Sequence, residues 1–149
     1  MKRIVYTALT LATVASSLVF TSCKKDKEEP KPKTRTELLT AKNWRISADN
    51  TTTVGTSAPD DNYARMPACE KDDFYKFNTN NSYILDTDRL KCNSAEPQTT
   101  TGTWNFTDND TKLTIDGDVY EVVEVSESTL KIKENLSSGR TNNTTFTAF

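Results

Sequence analysis

Carboxylates are the most numerous side chains in this sequence that could do chemistry. Asp and Glu total 21, and three of them, Glu70, Asp72 and Asp73, stand beside a cysteine. Two carboxyl groups held at a fixed separation across a cleft would form the acid and base of a glycoside hydrolase. Alternatively, such residues bond backbone groups in turns, and Asp72 or Asp73 pairs with Lys91 to fasten neighbouring loops. We favour the second interpretation, because sequence spacing alone does not bring two carboxyls across a cleft.

Histidine is absent from the sequence, which removes the commonest general base and metal ligand. No Ser, Thr or Cys stands in a recognisable arrangement with a base that could activate it. The acidic segment 108–118 lacks the Gly at the sixth position and the Glu at the twelfth that a calcium loop requires. A formal charge of -2 gives no basic surface for nucleic acid. The sequence therefore predicts a protein that is not an enzyme and has no metal, cofactor or nucleic-acid partner.

An export signal is predicted at the N-terminus. Lys2 and Arg3 form a positively charged N-terminal region, and residues 4–20 are uncharged and largely apolar. The letters FTSC end at Cys23 and resemble the lipobox of bacterial lipoproteins. That resemblance implies a signal peptide over residues 1–22 and a Cys23 acylated with chains such as palmitate. The alternative is a plain secretory signal with an incidental cysteine.

The other two cysteines support the lipoprotein interpretation. The chain has three cysteines, an odd number for an oxidising compartment. If Cys23 carries lipid, Cys69 and Cys92 remain as one pair and are predicted to form a disulfide. Such a bridge would contribute roughly 3 kcal/mol in the chain-entropy relation. Two free buried thiols are the alternative.

Residues 23–35 are rich in charge and proline and have no apolar side chains to bury, so they are predicted to be a disordered tether. The lipid on Cys23 would then attach the protein to a membrane of the cell envelope, with the outer membrane as the expected location. Asp26, Glu28 and Glu29 resemble a surface-export signal of lipoproteins in the Bacteroidota. The periplasmic and the surface-exposed face both stay open.

The rest of the chain has the composition of an all-β protein, since it is rich in Thr, Asn and Asp. We predict a short helical turn at 36–40, capped by Thr34 or Thr36, and a long loop at 49–68 in which residues 51–54 could pair with a strand. Asp116 and Gly117 are the preferred pair for a type I′ hairpin turn. A change of phase at 122–125 indicates a bulge or apolar residues on both faces of the strand. Alternating apolar residues and short turns predict eight strands, at residues 43–47, 73–77, 82–87, 100–107, 112–115, 119–125, 129–134 and 142–149.

Strands joined in order by short turns form an antiparallel meander. The small number of ordered residues fits a small up-and-down barrel or a meander sandwich over residues 36–149, and barrel closure removes exposed sheet edges. A set of residues occurs in a distinctive order over this region: Leu38, Leu39, Trp44, Cys69, Glu70, Lys71, Asp72, Asp73, Phe77, Lys91, Cys92, Pro97, Gly102, Thr103, Trp104, Leu113, Tyr120 and Leu130. This order resembles the lipocalin-like domain family found in lipoproteins of the Bacteroidota. The resemblance implies a lipocalin-type barrel.

Eight aromatic side chains are the remaining candidates for a site. They could line a pocket in which tyrosine hydroxyls act as polar anchors, or they could fill the barrel, whose interior is just wide enough for its own side chains. A packed core is the favoured alternative, which would leave partner contacts to the exposed ends, especially residues 49–68. The candidates are Trp44, Tyr75, Phe77, Tyr83, Trp104, Phe106, Tyr120 and Phe146.

These features together predict a membrane-anchored, non-enzymatic module that binds a small ligand or a partner. The alternative is a structural or interaction subunit of an envelope complex, with a filled barrel and no ligand pocket. The presence or absence of a cavity distinguishes the two.

Overall fold

The computed structural model describes residues 31–149. The predicted signal peptide, Cys23 and most of the predicted tether lie outside these residues. The first element is the helix α1 (Arg35–Thr40). Thr34 accepts a hydrogen bond from the backbone N–H of Glu37, and the Glu37 side chain accepts one from the backbone N–H of Thr34. This reciprocal cap explains why the helix begins here, and it confirms the predicted helical turn.

Strands and two further one-turn helices make up most of the remaining chain. Within the described residues all paired strands are antiparallel, as the short turns predict. The elements are β1 (Asn43–Thr53), β2 (Asp60–Asp61), α2 (Asn62–Arg65), α3 (Ala68–Lys71), β3 (Phe74–Phe77), β4 (Ser82–Asp86), β5 (Thr99–Thr107), β6 (Lys112–Ile115), β7 (Asp118–Val125), β8 (Thr129–Asn135) and β9 (Arg140–Ala148).

The sheet closes on itself. β3 to β9 pair in chain order, β1 pairs with β3 on one side, and β1 also pairs with β9 on the other. Eight strands therefore form a ring. The two-residue β2 is not part of the ring and pairs with Asn50 and Thr51 of β1. The predicted up-and-down barrel is confirmed, and the meander sandwich is not formed.

The prediction of a long loop at 49–68 is wrong, although the strand pairing considered for residues 51–54 is present at residues 51–53. β1 continues to Thr53 and pairs with β9 from Trp44 to Thr53, with a register shift between Ile46 and Ala48. The segment that follows contains β2, α2 and the start of α3. The extension of β1 could not be predicted from apolar alternation, because the inward side chains in the second half of the strand are polar. Thr51 is buried and its hydroxyl lies 3.2 Å from the amide oxygen of Asn142 on β9, so apolar alternation is absent from a strand that is nevertheless internal.

Local turn chemistry is as predicted. Asp116 and Gly117 both have positive φ angles, 49° and 98°, as a type I′ turn between β6 and β7 requires. The pairing of β7 with β8 shifts between Val122 and Glu124, which confirms the bulge and leaves Val123 exposed. These two features set which side chains of β7 face the barrel interior.

The core fills the end of the barrel that α1 covers. Leu39 of α1 and Trp44 of β1 are fully buried, and the Trp44 indole N–H donates to the backbone oxygen of Leu39 at 2.8 Å. The Arg35 guanidinium donates to the backbone oxygen of Asp110 in the β5–β6 turn. The helix therefore acts as a plug, and the apolar side chains beneath it are packed as in a protein interior.

The predicted disulfide is present. Cys69 of α3 is bonded to Cys92, which lies in the connection between β4 and β5, with a Cα–Cα distance of 5.2 Å. The bridge fastens the segments on either side of the β3–β4 hairpin. Among residues 31–149, no helix is long and apolar enough to cross a membrane.

Candidate ligand-binding cavity

A cavity of about 370 Å³ opens at the end of the barrel away from α1. Trp44, near the start of β1, lies under the helix, whereas Ile46 and Asp49 further along the same strand line the cavity. Seven of the ring strands or their turns contribute to its wall. The lining residues are Ile46, Asp49, Tyr75, Tyr83, Ile115, Asp116, Asp118, Tyr120, Ile132, Glu134, Asn142, Thr144 and Phe146.

The wall changes from apolar to polar towards the mouth. Side chains two residues apart on a strand face the same side, and β8 places Ile132 deep in the barrel and Glu134 nearer its end. On β9 the same inward row runs from Phe146 through Thr144 to Asn142. The result is an apolar floor under a polar rim, the arrangement typical of small-molecule sites.

Aromatic rings form much of the floor. The Tyr75 ring contacts Phe146 edge to face, with centroids 5.7 Å apart, and lies 5.8 Å from the Tyr83 ring. Tyr75 also stacks on Phe77, which belongs to the buried core. The floor is therefore continuous with the packed core and is held in one geometry by it.

Tyr83 and Asp116 close one side of the cavity. The Tyr83 hydroxyl donates to one oxygen of Asp116, and the backbone N–H of Thr103 donates to the other at 2.8 Å. The Tyr83 hydrogen bond, followed by that from Thr103, lowers the pKa of the Asp116 carboxyl. Gly102 permits this approach, because a Cβ at this position would collide with the Tyr83 ring and the Asp116 carboxylate.

Asp49 is held by a network on the opposite side of the mouth. Asn62 of α2 donates to one of its oxygens at 2.7 Å, and the Thr144 hydroxyl donates to the other at 2.9 Å. Asn142 also donates to this second oxygen, at 3.3 Å. The network ties α2 to the rim and explains why polar residues here are inward and half-buried.

The remaining two carboxylates of the wall have no such donors. Within residues 31–149, Asp118 and Glu134 receive no hydrogen bond and form no ion pair, and the hydroxyls of Tyr75 and Tyr120 have no hydrogen-bond partner. Burial, and then the charges of Glu134 and Asp118, raise the pKa of Tyr120 to about 12. Burial, then Asp73 and Asp116, also raise the pKa of Tyr75. Both phenols therefore stay neutral and keep a proton that can be donated.

The predicted aromatic residues divide between core and cavity. Trp44, Phe77 and Trp104 are buried in the core, and Phe106 packs half-buried against Trp104 at 5.6 Å. Tyr75, Tyr83, Tyr120 and Phe146 line the cavity, and Tyr83 and Phe146 are at the same time buried members of the core. Of the two predicted alternatives, the packed core is present at the end of the barrel under α1, and the pocket is present at the open end. The polar residues of the rim were not among the candidates, although the inward rows of β7 to β9 contain them at alternate positions.

The acidic residues beside the disulfide have a structural role that differs from the prediction. Asp72 is buried and accepts hydrogen bonds from the backbone N–H groups of Arg89 and Leu90, at 3.2 and 3.0 Å. The predicted pairing with Lys91 is wrong, because the Lys91 ammonium donates to the backbone oxygen of Glu96 instead. These two N–H groups bond one oxygen of the Asp72 carboxylate, and the other oxygen is buried without a hydrogen-bond partner among residues 31–149.

Asp73 lies next to Asp72 and has an unusual environment. One of its oxygens is buried and has no hydrogen-bond partner among the described residues. Burial, followed by the charges of Asp72 and Glu70, raises the pKa of Asp73 to about 6. Its charged form is therefore disfavoured in the folded protein.

The closed ring of eight antiparallel strands in chain order, plugged at one end and open at the other, defines an up-and-down barrel of the kind that holds small ligands. The family model of the lipocalin-like domain matches residues 24–132. The chain therefore belongs to the lipocalin-like domain family. A comparison with curated proteins found no match.

Proposed function

We propose that this protein is a non-enzymatic binding module that holds a small ligand in the cavity at the open end of the barrel. The observation that carries the proposal is the cavity itself, with its aromatic floor and polar rim. A volume of about 370 Å³ falls within the range of about 300 to 1,000 Å³ that small-molecule sites occupy. A filled barrel serving only as an interaction subunit would have no use for this space.

The site is organised before any ligand enters. Tyr83 and Asp116 hold each other on one side, and Asp49 is held by Asn62 and Thr144 on the other. Binding therefore orders few side chains, which limits the entropy lost on association. The unpartnered hydroxyls of Tyr75 and Tyr120 supply the few polar anchors that orient a ligand.

A variant that fills the cavity tests the proposal. Ile115 lines the cavity from β6, and Ile115→Trp should occupy much of its volume. Val119 on the neighbouring strand is exposed, so Val119→Trp adds the same side chain to the outer surface. Thermal-shift screening with apolar compounds and with glycans should give ligands that stabilise the wild type and Val119→Trp but not Ile115→Trp. The proposal would be contradicted if no compound stabilised the wild type, or if the compounds stabilised all three proteins equally.

We further propose that lipid on Cys23 anchors the protein to the outer membrane of a cell of the Bacteroidota. The proposal is supported by the positive start at Lys2 and Arg3, the apolar stretch that follows, and the letters FTSC ending at Cys23. Metabolic labelling with a palmitate analogue should mark the wild type and not Cys23→Ala. Protease treatment of intact cells then distinguishes a surface-exposed domain, which is digested, from a periplasmic one, which is protected.

A further inference from the structure

We propose that the ligand of the cavity is an organic cation, consisting of an apolar body that carries an ammonium group. This inference rests on the proposed binding function and names the chemical class of its ligand. Three properties of the cavity carry it: the sign of its charges, the aromatic rings in its wall and the division between floor and rim.

Every charged side chain that lines the cavity is acidic. Asp49, Asp116, Asp118 and Glu134 contribute four carboxylates, and the lining contains no Lys or Arg. The chain as a whole has 19 basic residues, and none of them lines this cavity. A cleft lined by one sign of charge concentrates the field inside it and attracts the opposite charge. An anionic ligand would meet repulsion from every side of the rim.

Two of the four carboxylates remain available to a ligand. Asp49 and Asp116 are occupied by hydrogen-bond donors of the protein. Asp118 and Glu134 lie on neighbouring strands, β7 and β8, and have no donor or ion-pair partner in the part of the chain that the structure describes. On the outer face of the same two strands, acidic residues do have partners, since Glu121 and Glu124 pair with Lys133 and Lys131. On these two strands, therefore, the acidic residues without a partner are the two that line the cavity.

The aromatic groups independently favour a cation. Tyr75, Tyr120 and Phe146 line the cavity together with the acidic residues. The faces of such rings attract an ammonium group within about 6 Å of their centroids. The free hydroxyls of Tyr75 and Tyr120 can orient toward a polar part of the same ligand. An ammonium beneath Asp118 and Glu134 would therefore contact rings and carboxylates at once.

A bare metal ion fits the cavity less well. No group of three or more His, Cys, Asp or Glu side chains within residues 31–149 is close enough to hold one. The carboxylates are spread around the rim, while Ile46, Ile115 and Ile132 lie with them around a cavity too large for a single ion. These isoleucines provide a surface for the apolar body of an organic molecule.

Three compounds with one apolar body test the inference. 4-Phenylbutylamine, 4-phenylbutanol and 4-phenylbutanoate differ in whether the end of the chain is cationic, neutral or anionic. NMR titration of the amide-labelled protein at pH 7.5 should show the amine binding more tightly than the alcohol and the acid binding most weakly. The double variant Asp118→Asn, Glu134→Gln should weaken the amine by about tenfold, the combined effect of two partly exposed ion pairs, and leave the alcohol unchanged.

A matched variant controls for the change in net charge. Glu121→Gln, Glu124→Gln removes the same two charges from the outer face of the same strands and should leave binding of the amine unchanged. Alcohol and amine binding with equal affinity in the wild type would overturn the inference while leaving the proposed binding function intact. Failure of all three compounds to shift any amide of the cavity wall would count against both.

Discussion

The disulfide should contribute a large part of the stability of this protein, and its removal gives a quantitative prediction. Cys69 and Cys92 are separated by 23 positions in the sequence and join α3 to the β4–β5 connection. Cross-linking residues this far apart removes loop-closure entropy from the unfolded chain, which amounts to ~3 kcal/mol at 25 °C. For a domain of this size a loss of ~3 kcal/mol lowers the melting temperature by roughly 10 °C.

The fold itself should survive this loss. Asp72 still accepts hydrogen bonds from the backbone of Arg89 and Leu90, and Arg45 still forms a 2.7 Å ion pair with Asp88. Asp72 thus joins the two segments directly, and Arg45 of β1 contacts both of them, because it also donates to the backbone oxygen of Asp72. The double variant Cys69→Ser, Cys92→Ser should therefore show native circular dichroism at 20 °C and unfold in one transition.

Calorimetry with and without dithiothreitol provides the assay and its control. Cys92 is exposed to solvent, so reductant should reach the bridge in the wild type and lower its melting temperature to that of the double variant. The variant itself should not respond to the reductant. A melting temperature within 2 °C of the wild type would refute the assignment of this stability to the bridge.

Three further substitutions have expected outcomes that thermal or urea denaturation can measure. Gly102→Ala places a methyl group against the Tyr83 ring and should destabilise the protein by roughly 2 kcal/mol; an unchanged stability would show that the strands move apart freely. Leu39→Ala removes the fully buried side chain of the helical plug and should cost about 3 kcal/mol, whereas a cost below 1 kcal/mol would mean that α1 does not seal the barrel. Asp73 has a pKa raised to about 6, so the folded state binds its proton more tightly than the unfolded chain does, and stability falls as the pH rises from about 4 to 6. Asp73→Asn should therefore raise the melting temperature more at pH 7.5 than at pH 4.5, and an equal effect at both values would contradict the raised pKa.

Most of the barrel could be predicted because its strands carry local signals. Seven of the eight predicted strands agree with the structure to within two residues, since their inward residues alternate with polar ones and turns such as Asp116 and Gly117 mark their ends. β1 beyond Ser47 could not be predicted in this way. Its inward residues Asp49 and Thr51 form side-chain hydrogen bonds with Thr144 and Asn142, which lie more than ninety positions later in the chain. No local sequence pattern predicts such distant partners.

The candidate site was predictable only in its aromatic part. Tyr75, Tyr83, Tyr120 and Phe146 stand out by type and alternation, but which aromatic residues reach the open end depends on where α1 plugs the barrel. The acidic rim has no distinct sequence signal, because Asp116 and Asp118 flank a turn where Asp is common for local reasons. Closure of the ring is what gathers these residues with β8 and β9 around one opening.

The central claim is that a small molecule binds inside the barrel, and isoleucine methyl NMR tests it most directly. Ile46, Ile115 and Ile132 line the cavity, whereas Ile84 lies on β4 between two inward residues and faces outward. A bound ligand such as 4-phenylbutylamine should shift the methyl resonances of the first three and leave Ile84 unchanged. Shifts at Ile84 alone, or none at the three cavity methyls at saturating ligand, would contradict the claim.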